Sequence, residues 1–175
     1  MGLKFPPILI IIGFVIFLTG FFKTPNYLKP QQTQAGKEQV ASEPSHIRIS
    51  KIGVDADIVR GGIINGEWIL SDNEILYLPT SGELGEGFNT VLYGHKRPGL
   101  FADLINLTEG DLIEVSDNQD DKFTYEVYLK EEIEPRQTGK LISIQRDDLT
   151  MFTCDGVFDE SRLLVRAKFV SSKNS

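Results

Sequence analysis

Three residues of this chain have types and spacings that suit acyl-transfer chemistry. Cys154 is the only cysteine among the 175 residues, and it ends the apolar stretch "LTMFTC" just before Asp155-Gly156. A thiolate is a strong nucleophile, and a neighbouring imidazolium stabilises it. His95 closes "NTVLYGH" and precedes the loop "KRPG". Its imidazolium could also protonate a leaving amine. The other histidine, His46, lies at the edge of the folded region. Arg162 opens the run "RLLVRAKFV", eight residues after Cys154. If these two runs pair through their loop, the guanidinium reaches the thiol's neighbourhood and could hold a carbonyl or a developing oxyanion.

Each residue also has a plainer reading. Free cysteine is often a small buried hydrophobe. A lone histidine is commonly a half-buried polar group, and Arg162 could pair with Asp155, Asp159 or Glu160. Against burial of the thiol, the apolar run stops at Cys154, which suits a residue facing a cleft. An unpaired thiol outside the cytoplasm is also an oxidation liability unless it is used. Residue types alone leave both readings of Cys154 open.

The elements that would position these residues read as all-β. From residue 46 the apolar period is two. In "HIRISKIGVDADIV", Ile47 and Ile49 fall on one face, and Ile52, Val54, Ala56 and Ile58 repeat the pattern until Gly61-Gly62 breaks it. "EWILS", "EILYLP" and "NTVLYGH" are further short runs, and "GELGEG" at 82–87 is a turn-rich loop. In "GLFADLINL" the spacing of Leu100, Phe101, Leu104 and Leu107 predicts a short helix. "GDLIEVSD" and "DKFTYEVYLKEEIE" predict a hairpin around residues 117–121. "LTMFTC" and "RLLVRAKFV" supply two last strands. Many short strands at close spacing indicate a closed barrel or a sandwich.

Composition narrows the function. The net charge is −7; four of the 18 basic and two of the 25 acidic residues precede residue 44, so the remainder carries −9. Nucleic-acid binding needs a basic footprint, and none is present. One cysteine and two histidines exclude an internal disulfide and a multi-cysteine metal site. No dinucleotide fingerprint or phosphate-binding loop occurs.

Residues 5–22, "FPPILIIIGFVIFLTGFF", carry no charge. Eighteen residues at about 1.5 Å each span about 27 Å, close to the hydrocarbon thickness of a bilayer. The following "LTGFFKTPNY" offers no good small-x-small cleavage site, which favours an uncleaved transmembrane helix. Lys4 and the amino terminus favour a cytoplasmic tail of residues 1–4, which puts the rest outside the cytoplasm. Residues 23–45 are rich in Gln, Pro, Gly and Ser and read as a flexible tether to a domain at 46–175.

The chemistry-bearing residues, in this order and context, resemble the sortases. "TMFTC" at 150–154 resembles that family's TLxTC motif, with Met151 in place of leucine. "NTVLYGHKRPGLFADLINLTEGDLIEV" is similar to its glycine-histidine, short helix and Gly-Asp turn, and "SRLLVRA" to its arginine followed by an apolar strand. The resemblance spans residues 46 to 170. It implies an all-β, sortase-like closed barrel of about eight strands with one or two short helices, here preceded by a single transmembrane helix. It also implies cysteine transpeptidation of a C-terminal LPxTG-like sorting signal. Cys154 would be the nucleophile that forms the thioacyl intermediate. His95 would be the acid and then the base, and Arg162 the holder of substrate backbone and oxyanion. Thr153 and Gly94 would support substrate binding or the oxyanion. The partners would be proteins with sorting signals and an amine acceptor, either a cell-wall peptide or a protein lysine. The implied address is the cell membrane, single-pass, with the catalytic domain outside.

No cofactor is required, and a calcium site of the kind some members use cannot be assigned from sequence. The short loop between Cys154 and Arg162 resembles the class D and E members. The tether lacks the Asp-Pro-aromatic lid motif of the pilus-assembling class. "PRQTGKLISIQRDD" at 135–148 is compact and would sit over the substrate groove. Two other readings are a non-catalytic membrane-tethered β-barrel that binds a partner, and an L,D-transpeptidase, whose Ser-x-Gly-Cys run is here replaced by Phe-Thr-Cys.

Overall fold

The computed structural model describes residues 42–137, 139–142, 146–155 and 161–175. The anchor expected at 5–22 and the tether up to residue 41 lie outside these residues. Among the described residues, no helix is long and apolar enough to cross a membrane.

The described residues form ten strands, in chain order β1 (Pro44–Ile49), β2 (Val54–Arg60), β3 (Ile63–Ile64), β4 (Glu67–Trp68), β5 (Ile75–Tyr77), β6 (Thr90–Tyr93), β7 (Leu112–Asp117), β8 (Lys122–Ile133), β9 (Asp148–Asp155) and β10 (Ser161–Lys173). Eight of them close a barrel in the order β1-β2-β5-β6-β9-β10-β8-β7, while β3 and β4 pair only with each other. Of the barrel and the sandwich that the period-two pattern left open, the chain forms the closed eight-stranded barrel that the family resemblance implied. Closure leaves no free sheet edge, and each strand can send alternate side chains to two different apolar environments.

That alternation decides where the site lies. Leu149 and Met151 of β9, Leu92 of β6, and Leu163, Val165 and Ala167 of β10 fill the barrel interior. The intervening Phe152, Tyr93, Val91 and Leu164 point outward and form a second cluster with Leu76, Leu78, Ile133 and Leu141. A barrel wall buried on both faces needs a cover outside. Trp68 of β4 packs against this outer cluster. Leu141, in the helical turn Gly139–Ile142, is buried within it.

Two local signals resolve differently in three dimensions. The segment 100–107 does not make an α-helix; it winds through turns into a 3-10 helix over Leu104–Asn106. Three of its bonds, Leu100 N–H to the Arg97 carbonyl, Leu104 N–H to Phe101 and Leu107 N–H to Leu104, span three residues. Leu100, Phe101, Leu104 and Leu107 are nevertheless all buried. Inward packing of those four side chains is what the spacing encoded, and a tighter coil satisfies it equally. The break between β1 and β2 is a 3-10 turn ended by Gly53 at φ 66°. The β7–β8 turn is held by Asp117, whose Oδ1 accepts from the N–H of Gln119 (2.8 Å) and of Asp121 (3.0 Å).

On β1, His46 stands opposite Asp57 of β2. Its Nδ1 lies 3.0 Å from the Asp57 carboxylate and its Nε2 2.6 Å from Asp55, which also meets the Arg48 guanidinium at 3.2 Å. The hydrogen bond to Asp57 is the largest effect and raises the His46 pKa above its usual value; burial opposes it, and the hydrogen bond and negative charge of Asp55 add to the rise. A raised histidine pKa stabilises the fold fully below the unfolded value, and that stabilisation is lost as pH rises through the folded value. The pairs are solvent-exposed, so the effect stays below about 1 kcal/mol. Thermal melts of the wild type should therefore show a small loss of stability as pH rises through and above the ordinary histidine range. His46→Ala should remove that slope, and an identical slope in the variant would refute the assignment.

Candidate active site

Parallel pairing of β6 with β9 sets Tyr93 beside Phe152. The ladder continues one step past the end of β6, where the Gly94 N–H donates to the Phe152 carbonyl at 3.4 Å. Thr153, itself buried, donates its hydroxyl to the Gly94 carbonyl at 2.8 Å. These two bonds bring His95 to the end of β9 although 59 residues separate it from Cys154. On the other side of β9, antiparallel pairing makes Arg162 the direct partner of Cys154, and across β10 Arg162 also pairs with Ile133. The three candidate residues come from β9, its parallel neighbour's extension and its antiparallel neighbour.

The loop after His95 is fixed through the backbone. The His95 carbonyl accepts from the N–H groups of Arg97 (2.9 Å) and Phe101 (3.3 Å). Arg97 then braces this loop against residue 72, with its guanidinium 2.9 Å from the Asp72 carboxylate and 3.3 Å from the Asp72 carbonyl. The imidazole takes no part in building the turn.

A cavity of about 350 Å³ opens at this point, lined by Glu67, Trp68, Leu70, Tyr93, Gly94, His95, Phe152, Thr153 and Arg162. Four of the five candidate residues therefore share one pocket, and the fifth, Cys154, is the strand partner of Arg162. A narrower slot of about 30 Å³ adjoins it, sharing Trp68, Phe152 and Arg162 and extending to Ile133, Pro135 and Leu141. The side-chain hydroxyl of Thr153 and the main chain of Gly94 are engaged in joining β6 to β9. Among the described residues, no group of three or more His, Cys, Asp or Glu is placed to hold a metal ion.

The structure adds residues that the motif reading missed. Trp68 meets Tyr93 edge-on at 4.8 Å between ring centroids and Phe152 at 5.2 Å, while Tyr93 and Phe152 stack at 5.5 Å. Such geometries contribute beyond area burial. The Tyr93 hydroxyl bonds the backbone of Gly62, accepting from its N–H at 2.9 Å and donating to its carbonyl at 3.3 Å. Burial raises the Tyr93 pKa, so the phenol stays protonated and can donate. Gly61 must lack a side chain here, because a Cβ would collide with the Tyr93 hydroxyl. The sequence signal for this hairpin was Asn65-Gly66, which takes φ 54° and 85° in the turn between β3 and β4. Two consecutive positive φ values are what an Asn-Gly pair allows at a two-residue hairpin.

Asn89 is the second such residue. It is buried, accepts from the Thr150 hydroxyl at 2.7 Å, and donates to the Leu141 carbonyl at 2.8 Å. It thereby pins the helical turn 139–142 over β9. Asn89→Ala leaves a buried hydroxyl and a buried carbonyl without these partners, a cost of about 2–4 kcal/mol. Urea denaturation should give that loss with an unchanged m-value; a loss under about 0.5 kcal/mol, the level of an ordinary surface change, would refute the pinning role.

Comparison with known proteins agrees with this geometry. A family model described as the Sortase domain matches residues 47–170. Sortase A of Bacillus anthracis is 25% identical over 157 residues, covering 85% of this chain and 69% of that protein. Among solved structures, the Clostridium perfringens Sortase D5 transpeptidase is 26% identical with a TM-score of 0.62, covering 74% of this chain and 79% of that one. Sortase E1 from Streptomyces coelicolor, solved with a tripeptide in its active site, shares the fold at 20% identity and a TM-score of 0.64, covering 76% of this chain and 91% of that one.

Proposed function

The chain belongs to the sortase family of cysteine transpeptidases, and from that premise we propose that it is a membrane-anchored enzyme that cleaves an LPxTG-like C-terminal sorting signal and transfers the protein to an amine acceptor. The observation that carries this reading is the convergence of His95 and Arg162 on one cavity, with Arg162 paired to Cys154 across β9 and β10.

In this reaction the Cys154 thiolate adds to the carbonyl before the scissile bond. Charge develops on the carbonyl oxygen, and the Arg162 guanidinium, together with backbone N–H groups at the end of β9, stabilises it. Collapse of the tetrahedral intermediate breaks the C–N bond, and the His95 imidazolium gives its proton to the departing amine. A thioester remains on Cys154. The neutral His95 then takes a proton from the incoming amine as that amine attacks the thioester. A new amide forms and the thiolate leaves. Electrons and protons balance over the two half-reactions without an added oxidant or metal. Thr153 and Gly94 act by holding His95 beside β9.

The apolar, uncharged stretch 5–22 supports a single-pass anchor with the barrel outside the cytoplasm. There the acceptor is a cell-wall peptide amine or a protein lysine. The test incubates the full-length chain with a panel of LPxTG-type peptides and either an oligoglycine or a diamine acceptor. Mass spectrometry should find the ligated product and, without acceptor, an acyl adduct on Cys154. Absence of both across the panel would overturn the proposal in favour of a non-catalytic binding barrel.

A further inference from the structure

The β3–β4 hairpin stands apart from the barrel, since its two strands pair only with each other. The Ile69 N–H to the Gly62 carbonyl (2.9 Å) closes its base, and the Tyr93 hydroxyl on Gly62 ties that base to β6. Its large apolar side chains are conspicuously uncovered: Ile63 is 47% exposed, Ile64 61% and Leu70 55%. Glu67 and Trp68 of β4 both line the larger cavity, and Trp68 is the hairpin's aromatic face on the site. It lines both the larger cavity with His95 and the narrow slot toward Pro135 and Leu141.

The two volumes differ in what they can hold. The slot, at about 30 Å³, has room for about a water or a methyl group. The larger cavity, at about 350 Å³, is within the range of ligand sites. It is walled by Trp68, Leu70, Tyr93 and Phe152, with Glu67, His95 and Arg162 as its charged or polar side chains. A large aliphatic side chain entering the site thus fits the larger cavity and meets the indole as its wall.

We propose that Trp68, carried on the β3–β4 hairpin, is a specificity-determining residue that selects peptide substrates by packing an aliphatic side chain against its indole ring beside His95 and Arg162. The inference rests on the transpeptidase reading for the identity of the substrate, but not for the contact itself. It names the hairpin as the selecting element, a role that no motif of the chain assigns.

Trp68 is the sole tryptophan of the chain, so its fluorescence reports this contact directly. Peptides of the LPxTG type, free of tryptophan and tyrosine, carry leucine or alanine at each position in turn. Titrated into full-length Cys154→Ala protein, which cannot turn over, they should shift the emission of Trp68 saturably. With the wild type, one position should favour leucine over alanine by about tenfold in kcat/KM, the scale of a few methylenes in an apolar site. Trp68→Ala should erase that preference, chiefly through KM, and Trp68→Phe should keep most of it. Leucine preference that survives in Trp68→Ala, or product formation with no change in Trp68 emission at saturating peptide, would overturn the inference and leave the transpeptidase reading standing. A saturable emission change with no product or Cys154 adduct would do the reverse. Because the fluorescence arm keeps Trp68 in place, poor folding of Trp68→Ala would not rescue a failed proposal.

Discussion

Cys154→Ala is expected to abolish transfer of an LPxTG-type peptide to an amine, by about 10⁴-fold or more, while the barrel stays folded. The size follows from what is removed. Without a nucleophile no thioester forms, and the remaining groups can only bind and polarise the peptide. The fold survives because β9 is held by what lies along it. Its pairs with β10 run from Asp148 to Asp155, and Leu149, Met151 and Phe152 anchor it in the two apolar clusters. Alanine keeps the backbone that makes those pairs and leaves Leu149, Met151 and Phe152 unchanged. The measurement is mass spectrometry of ligated product and of the acyl adduct, with circular dichroism as the control. Cys154→Ser should recover little, since a hydroxyl is a far weaker nucleophile than a thiolate near neutral pH. If Cys154 were only a packed thiol, alanine would instead lower stability and leave transfer intact, and that outcome would refute the assignment.

The second large effect is expected at His95. His95→Ala should lower kcat for peptide transfer by about 10²–10⁴-fold, the usual contribution of a positioned acid–base group. The turn that presents His95 is built from its carbonyl, bonded by Arg97 and Phe101, and from the Thr153–Gly94 bond before it. Alanine keeps all of these, so the change isolates the imidazole. A substrate separates the acid's role from mere shape. An activated ester of the same acyl peptide leaves without needing a proton, so His95→Ala should acylate with it far faster than with the amide. Equal losses with ester and amide would show that His95 does not protonate the leaving group.

Much of this protein can be read from its residues in order. The all-β class followed from period-two apolar runs separated by Gly, Asp and Asn turns, because a strand buried on one face must alternate; the choice of a barrel over a sandwich came from the family resemblance. Ile47, Ile49, Val54 and Ile58 lie in the core where that pattern put them. The candidate site residues stood out for a different reason. Cys154, His95 and Arg162 each stand at or just beyond a strand end, and residue types left a packed thiol and a nucleophile both open until their order and context were seen to resemble the sortase motifs. The helix expected at 100–107 was less well fixed, because apolar spacing sets which side chains face inward and not the pitch of the coil that delivers them. The hairpin at 63–68 passed unread because two-residue strands carry too short a pattern to register, although Asn65-Gly66 marked the turn.

What only the folded chain could decide was adjacency. The sequence by itself determined the reactive types, the strand alternation and the charge-free stretch at 5–22. It could not say that β6 runs parallel to β9, since parallel pairing joins segments far apart in sequence and leaves no local signature. That pairing sets Tyr93 beside Phe152 and puts Gly94 in reach of the Thr153 hydroxyl, and so carries His95 to the end of β9. Nor could a single exposed-looking tryptophan announce that it would lie across two outward-facing aromatic rings and wall the cavity. Long-range packing settled that, because the outer face of a closed barrel must be covered, and here Trp68 covers it.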